Sequence, residues 1–266
     1  MPEIEEITDA AGQKFDFIGF DACLMSQLAV ASVVAPYADY QIAAEELVPG
    51  FGWDYTPAVK ALVENPDISV PDLGKDIVDG FNTLYSTTQK QAAQSFDMGV
   101  LDLSKLDGVL TALDSFAAAA KAAPGELGNI ATARANTQTF ASVGEDAAQT
   151  AWISSVDLSD FMRLVGSLSK DSGLDTAAAD VIAATKEMVL YHKASKSLPN
   201  ATGLSVYFPE NKDVFAGADG ERYRSEFNAS LPSWQSFLDE SYGLAAQSAA
   251  PLTLKVASVT TTPEAP

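Results

Sequence analysis

Hydrophobic positions along the 266 residues fall into two periods. Short, bulky apolar runs bounded by turn residues mark strands, and stripes recurring every three to four residues mark helices. Met1–Gly12 reads as a helix: Ile4, Ile7 and Ala10 or Ala11 share one face, Glu3, Glu5, Glu6 and Asp9 the other, and Gly12 ends it. Phe15, Phe17, Ile18 and Phe20 then suit a strand buried on both faces of a parallel sheet. Helical spacing resumes from Leu24 to Val34 and stops at Pro36, and Tyr40–Ala44 predicts a second parallel strand. Thr56–Glu64 and Val70–Tyr85 read as helices split by Asn65-Pro66, the second with a stripe of Leu73, Ile77, Val78, Phe81 and Leu84. Ser95–Leu103 predicts a strand and Lys105–Ala123 a helix ended by Pro124-Gly125, while the polar Ala131–Thr150 reads as an irregular exposed loop. Asp157–Ser169 and Thr176–His192 read as helices, Thr202–Phe208 as a strand, and Ser233–Tyr242 as a last helix carrying Trp234, Phe237 and Leu238.

This alternation predicts an α/β fold with residues 1–243 as one core. From 244 to 266 the composition shifts to Ala, Ser, Thr and Pro, which reads as a linker or an added edge strand. With 16 Lys and Arg against 36 Asp and Glu the formal charge is −20, which argues against nucleic acid and anionic membranes as partners. A single cysteine forbids an intrachain disulfide, so packing must supply the stability. No apolar run approaches the length of a membrane span, and the acidic start MPEIEEITDA predicts no export signal on the chain as it stands.

That one cysteine, Cys23, falls where the first strand gives way to helical spacing. Strand ends and helix N-termini converge on ligands in α/β sheets, and the helix dipole favours a thiolate there. The alternative is a small buried hydrophobe without chemistry. Asp21 lies two residues earlier, on the same side of an extended strand, where its carboxylate either attracts a cation or caps the next turn. Glu45 and Glu46 end the second strand, and the turn-rich ELVPGFGWDY that follows offers Trp53 and Tyr55 as flat surfaces, which together make a pocket wall. His192, the one histidine, reads as a polar residue near a helix C-terminus, where a cation is favoured.

The run FDFIGFDACLM resembles the nucleophile segment of the clostripain family of cysteine peptidases, in the caspase-like clan. Three later stretches fit the same family in order: ADYQIAAEELVPGFGWDY, the region from NPD to FNTLY, and TGLSVYFP, so the similarity covers most of the chain. The resemblance implies a caspase/gingipain-like three-layer sandwich with a mostly parallel sheet, its N-terminal strands missing here. It implies that Cys23 is the nucleophile of an endopeptidase cleaving after Arg or Lys, with Asp21 in an acidic S1 pocket helped by Glu45 and Glu46 and walled by Trp53. Partners would be peptides with basic residues, in a bacterial protein that is secreted or held at the cell surface. Calcium is implied by the resemblance alone, since no EF-hand pattern appears. The clan's histidine sits in a His-Gly motif upstream of the cysteine, and this chain has none there. A fragment, a processed heavy chain and a degenerate relative all fit. The chain alone is then expected to lack endopeptidase activity and to partner its own histidine-bearing upstream segment. A non-catalytic binding or scaffold domain that keeps the fold and its acidic pocket is the competing class. A thiol-redox or acyltransferase role is disfavoured by the absence of a second cysteine.

Overall fold

The computed structural model describes residues 2–88, 95–140, 154–227 and 229–243. The tail from 244 and half of the expected irregular loop, 141–150, lie outside the described residues. The α/β class holds. Its centre is a four-stranded sheet of β1 (Phe15–Gly19), β2 (Ala38–Ala43), β3 (Asp97–Asp102) and a further strand, Val189–Ala194, in the order written. The β1–β2 pair is parallel, with Phe17 opposite Tyr40. β3 runs antiparallel to β2, with Val100 opposite Ile42, and Val189–Ala194 antiparallel to β3, with His192 opposite Gly99. β1 is an edge strand whose described ladder partner is β2 alone.

Helices cover both faces and make three layers. α1 (Pro2–Ala11) leads into β1, and α2 (Leu28–Val34) joins β1 to β2. One face carries α3 (Tyr55–Glu64) and α4 (Val70–Thr83), and α4 places Leu73, Ile77, Val78 and Phe81 against Ile42, Met98 and Val100. That is the stripe read from the sequence. The opposite face carries α5 (Leu106–Ala122), α6 (Leu127–Asn136), β4 (Ser155–Asp157), α7 (Leu158–Leu168) and α8 (Ser172–Met188). The strand Val189–Ala194 is β5, and β6 (Ser205–Tyr207) pairs with β4 in a separate two-stranded ladder. The chain closes with α9 (Lys212–Ala216), α10 (Ala218–Phe227) and α11 (Pro232–Ser241). No helix among the described residues is long and apolar enough to cross a membrane.

Two expectations are corrected. The helix expected over Thr176–His192 ends at Met188, and VLYHKA is a strand. A short mixed run does not separate helix from strand by period, and the free edge of β3 decides it. Tyr191 and Lys193 then fasten β5 to α4, both reaching Asp79, at 2.9 Å and 2.5 Å. The polar stretch from Ala131 begins inside a helix, since α6 runs to Asn136 with Ile130 and Ala133 buried.

Candidate active site

β1 delivers Cys23 to a turn, and hydrogen bonds from the neighbouring strand continue past it. Phe20, Leu24 and Ser26 donate their N–H groups to the carbonyls of Ile42, Glu46 and Ala44, at 2.9, 3.2 and 2.8 Å. The segments after β1 and β2 are therefore zipped together as far as the thiol. Leu24 adopts φ +63°, a left-handed conformation that a branched side chain pays for in steric strain. The buried Gln41 amide bonds the Met25 carbonyl at 2.8 Å and holds the turn from below.

The thiol is half-buried, and its sulfur accepts the Val48 N–H at 3.3 Å. Helix α2 begins only at Leu28 and has no side-chain cap, so an amide of the facing loop takes the place expected for a helix N-terminus. Asp21 faces the same loop. Its Oδ2 accepts the Trp53 N–H at 3.1 Å and the Tyr55 hydroxyl at 2.9 Å. Gly52, at φ +65°, permits this approach, because a Cβ there would lie 2.5 Å from Asp21 Oδ2. Gly19 makes room in the same way, since a Cβ on it would meet the Trp53 ring at 2.8 Å. The buried Tyr85 hydroxyl lies 3.0 Å from the Pro49 carbonyl and 2.9 Å from that of Gly52, pinning the loop to the α4 side. Trp53 is buried under the loop, and its indole N–H has no hydrogen-bond partner among the described residues.

The structure separates Glu45 and Glu46 from this surface. Glu45 is fully buried and points inward, accepting the Gly203 N–H on Oε2 at 2.7 Å. Glu46 is buried too, and its Oε1 accepts the N–H of Leu47 at 2.8 Å. The reason is Asp97, a fully buried carboxylate whose two oxygens accept the Glu45 and Glu46 N–H groups at 3.1 and 2.8 Å. Those bonds turn the chain inward at the end of β2, and only beyond Leu47 does it emerge as the loop over Cys23. The sequence signal for Asp97 was a lone acid opening an apolar strand, SFDMGV. Tyr55 and the Val48 amide gave no comparable signal.

His192 lies in β5 opposite Gly99, and with no side chain there its ring folds across to Asp97 two residues along the same face. Its Nε2 is 3.1 Å from Asp97 Oδ2 and 3.7 Å from Glu45 Oε2. Gly203, at φ +103°, closes over the ring, leaving 3.2 Å between its would-be Cβ and His192 Cδ2. No hydrogen bond joins His192 to Cys23 among the described residues.

Asp157 extends the buried acidic group. It caps α7 at Asp160 and accepts the Thr202 N–H and hydroxyl. Burial pushes its pKa up to about 6 despite those bonds, and Glu45 is raised well above the carboxylate range, first by burial and then by the charges of Asp157 and Asp97. The folded state therefore holds the Asp157 proton above the ordinary unfolded value of about 3.9, so this group's contribution to stability is present below that pH and lost by about pH 6. Urea unfolding at several pH values checks this by comparing wild type with Asp157→Asn. The stability difference should move against the wild type by about 3 kcal/mol between acid and neutral pH. A pH-independent difference would refute the assignment.

Three comparisons bear on this geometry. A family model described as the clostripain family matches residues 1–243. Among solved structures, a clostripain from Bacteroides thetaiotaomicron in complex with the peptide inhibitor BTN-VLTK-AOMK superimposes with a TM-score of 0.58 at 18% identity, over 85% of this chain and 91% of that one. A secreted C11 cysteine protease from the same organism, in complex with an irreversible peptide inhibitor, gives 0.59 at 19% identity, with this chain spanning 62% of its length. A B. fragilis cysteine protease gives 0.57 at 16% identity over 93% of its length. At such identities these likenesses show a shared fold. None of the curated protein sequences compared with the chain matches it.

Proposed function

The chain belongs to the clostripain family of cysteine peptidases, and from that premise we propose that Cys23 is the nucleophile for hydrolysis of peptide bonds after Arg or Lys. The observation that carries the reading is the common loop: Val48 holds the thiol, while the N–H of Trp53 and the hydroxyl of Tyr55 hold the Asp21 carboxylate. A carboxylate fixed beside a thiol can anchor a cationic side chain, so that the following carbonyl is presented to sulfur. The inhibitor peptide VLTK of the Bacteroides clostripain, which ends in lysine, agrees with a basic residue there. Trp53 walls the pocket from below. Glu45 and Glu46 act on it indirectly, by setting where the loop emerges.

The general base is the part that this chain does not bring to the thiol. His192 is occupied by Asp97 and clasped by Gly203, so we assign the base to a histidine on another segment, associated with residues 1–243. Peptide substrates with basic residues, and a secreted setting like that of the B. thetaiotaomicron protease, follow from the same reading.

Two measurements test the proposal on the chain itself. It should leave an Arg-linked reporter peptide uncut, and turnover that is abolished in Cys23→Ala would overturn the assignment of the base. Its thiol should react faster with aminoethyl methanethiosulfonate, a cation, than with the anionic sulfonatoethyl reagent, after normalisation to a small free thiol. Asp21→Asn should reduce that preference roughly 3-fold, the worth of one nearby screened charge. Asp16→Asn, which makes the same change in net charge at an exposed position, should leave it nearly unchanged. Equal preferences in the two variants would remove Asp21 from the pocket.

A further inference from the structure

Three adjacent strands bring together groups that are 52 and 95 residues apart in sequence, from Glu45 to Asp97 and from Asp97 to His192. One ligand atom from each of Glu45, Asp97 and His192 lies within 4.8 Å of the other two. Two of its edges, 3.1 Å from His192 Nε2 to Asp97 Oδ2 and 3.7 Å to Glu45 Oε2, bracket the spacing that tetrahedral zinc needs. With bonds of about 2.0–2.2 Å, such an ion holds its ligands roughly 3.4 Å apart. This is the one group of three or more His, Cys, Asp or Glu ligand atoms found among the described residues.

Two further observations point to a cation. Oε1 of Glu45 has no N–H or hydroxyl donor although the side chain is fully buried, its one side-chain neighbour in hydrogen-bond reach being the carboxyl of Asp157, and a buried oxygen without such a donor is rare in folded proteins. The charges that act on this carboxyl are those of Asp157 and Asp97, of its own sign, and only the Gly203 N–H opposes them. Three carboxyl groups therefore share one small interior region with a single imidazole, and a divalent ion would compensate their charge. The surroundings are also those of an oriented ligand set. Asp97 is aimed by two backbone N–H groups, Glu45 by that of Gly203, and the ring of His192 by the glycines on either side of it. Of the three, His192 also lines a cavity of about 400 Å³, with Ser159, Lys186 and Thr202.

We propose that Glu45, Asp97 and His192 form a binding site for one divalent transition-metal ion, zinc by the character of its donors. Calcium fits poorly, because it takes six to eight oxygen ligands and this set includes an imidazole. The site is separate from Cys23 and does not depend on the peptidase reading. It would tie β2, β3 and β5 together below the loop that covers the thiol.

The test uses the untagged chain, since a histidine tag would swamp a protein with one histidine. After stripping with chelator, the chain is dialysed separately against zinc, manganese and calcium, and bound metal is counted by mass spectrometry. One zinc per chain is expected, with little calcium retained and a higher melting temperature in the zinc-loaded form. Glu45→Gln, which keeps the shape and removes the charge, should weaken zinc binding by at least about 10-fold, the effect even of disturbing an outer-shell partner. His192→Gln should do the same. Cys23→Ala should bind as the wild type does, and the cobalt-loaded wild type should show no thiolate-to-metal absorption. Absence of bound zinc would overturn the proposal in favour of a network held by protons alone. Zinc binding that survives Glu45→Gln, or that is lost in Cys23→Ala, would overturn it in favour of adventitious capture.

Discussion

Replacing Asp97 by alanine is expected to lower the folding stability by about 3–6 kcal/mol, the sum of two hydrogen bonds to a charged acceptor at about 1.5–3 kcal/mol each. The carboxylate is fully excluded from water, and it is the acceptor for the Glu45 and Glu46 N–H groups as well as a partner of His192. Alanine would leave two buried N–H groups without an acceptor, a larger penalty than the net worth of either bond. Asp97→Asn keeps one oxygen and turns an NH2 group towards the second amide, so it should recover only part of the loss. The same bonds set the path into Leu47 and Val48, and Val48 bonds the Cys23 sulfur. Cys23 alkylation under native conditions should therefore change in the Asp97 variants, while a distant core substitution of equal cost leaves it alone. Chemical unfolding followed by fluorescence measures the first effect. A loss below about 1 kcal/mol would place Asp97 among ordinary surface acids.

Trp234→Ala should cost a similar amount, about 3–5 kcal/mol for a large aromatic removed from a packed core. Trp234 is 1% exposed and lies 4.8 Å, 5.6 Å and 6.2 Å, ring to ring, from Phe237, Phe208 and Phe161. Its indole N–H donates to the Tyr207 carbonyl at 2.8 Å. Trp234→Phe keeps most of the apolar contact and loses the donor, so its cost should stay near 1–2 kcal/mol, roughly one unmet buried hydrogen bond. The consequences extend towards the site, because Tyr207 belongs to β6, and Ser205 of that strand donates its N–H to the Ser26 carbonyl at 2.9 Å. Ser26 in turn bonds the Gly203 carbonyl through its hydroxyl at 2.6 Å. A denaturation midpoint equal to the wild type's in Trp234→Ala would contradict the packing described.

The second prediction draws on a helix that was legible from pattern alone, whereas the first rests on contacts that were not. Trp234, Phe237 and Leu238 recur at helical spacing, and such spacing has one physical meaning: a single buried stripe. The same holds for Leu73, Ile77, Val78 and Phe81 on α4. It fails at MVLYHKA, where six residues after a long helix satisfy either period and the open edge of β3 makes the choice. It fails again at Glu45 and Glu46. Two acids at the end of a strand look solvated until Asp97, from a strand of the opposite direction, takes their amides.

What the sequence determined by itself was local and periodic: the helices with clean stripes, the strand that carries Cys23, the turn residues around it, and a motif order specific enough to indicate the family. These depend on neighbours within a few residues, which the chain states directly. Only the tertiary structure decided which polar groups meet. It gave Cys23 the amide of Val48, gave Asp21 the hydroxyl of Tyr55, and drew His192 to Asp97 and Glu45, away from the thiol. Each of those pairs joins segments brought together by strand order and by glycines that admit close approach. Burial then fixed their chemistry, because a carboxylate removed from water must find a donor, a proton or a cation.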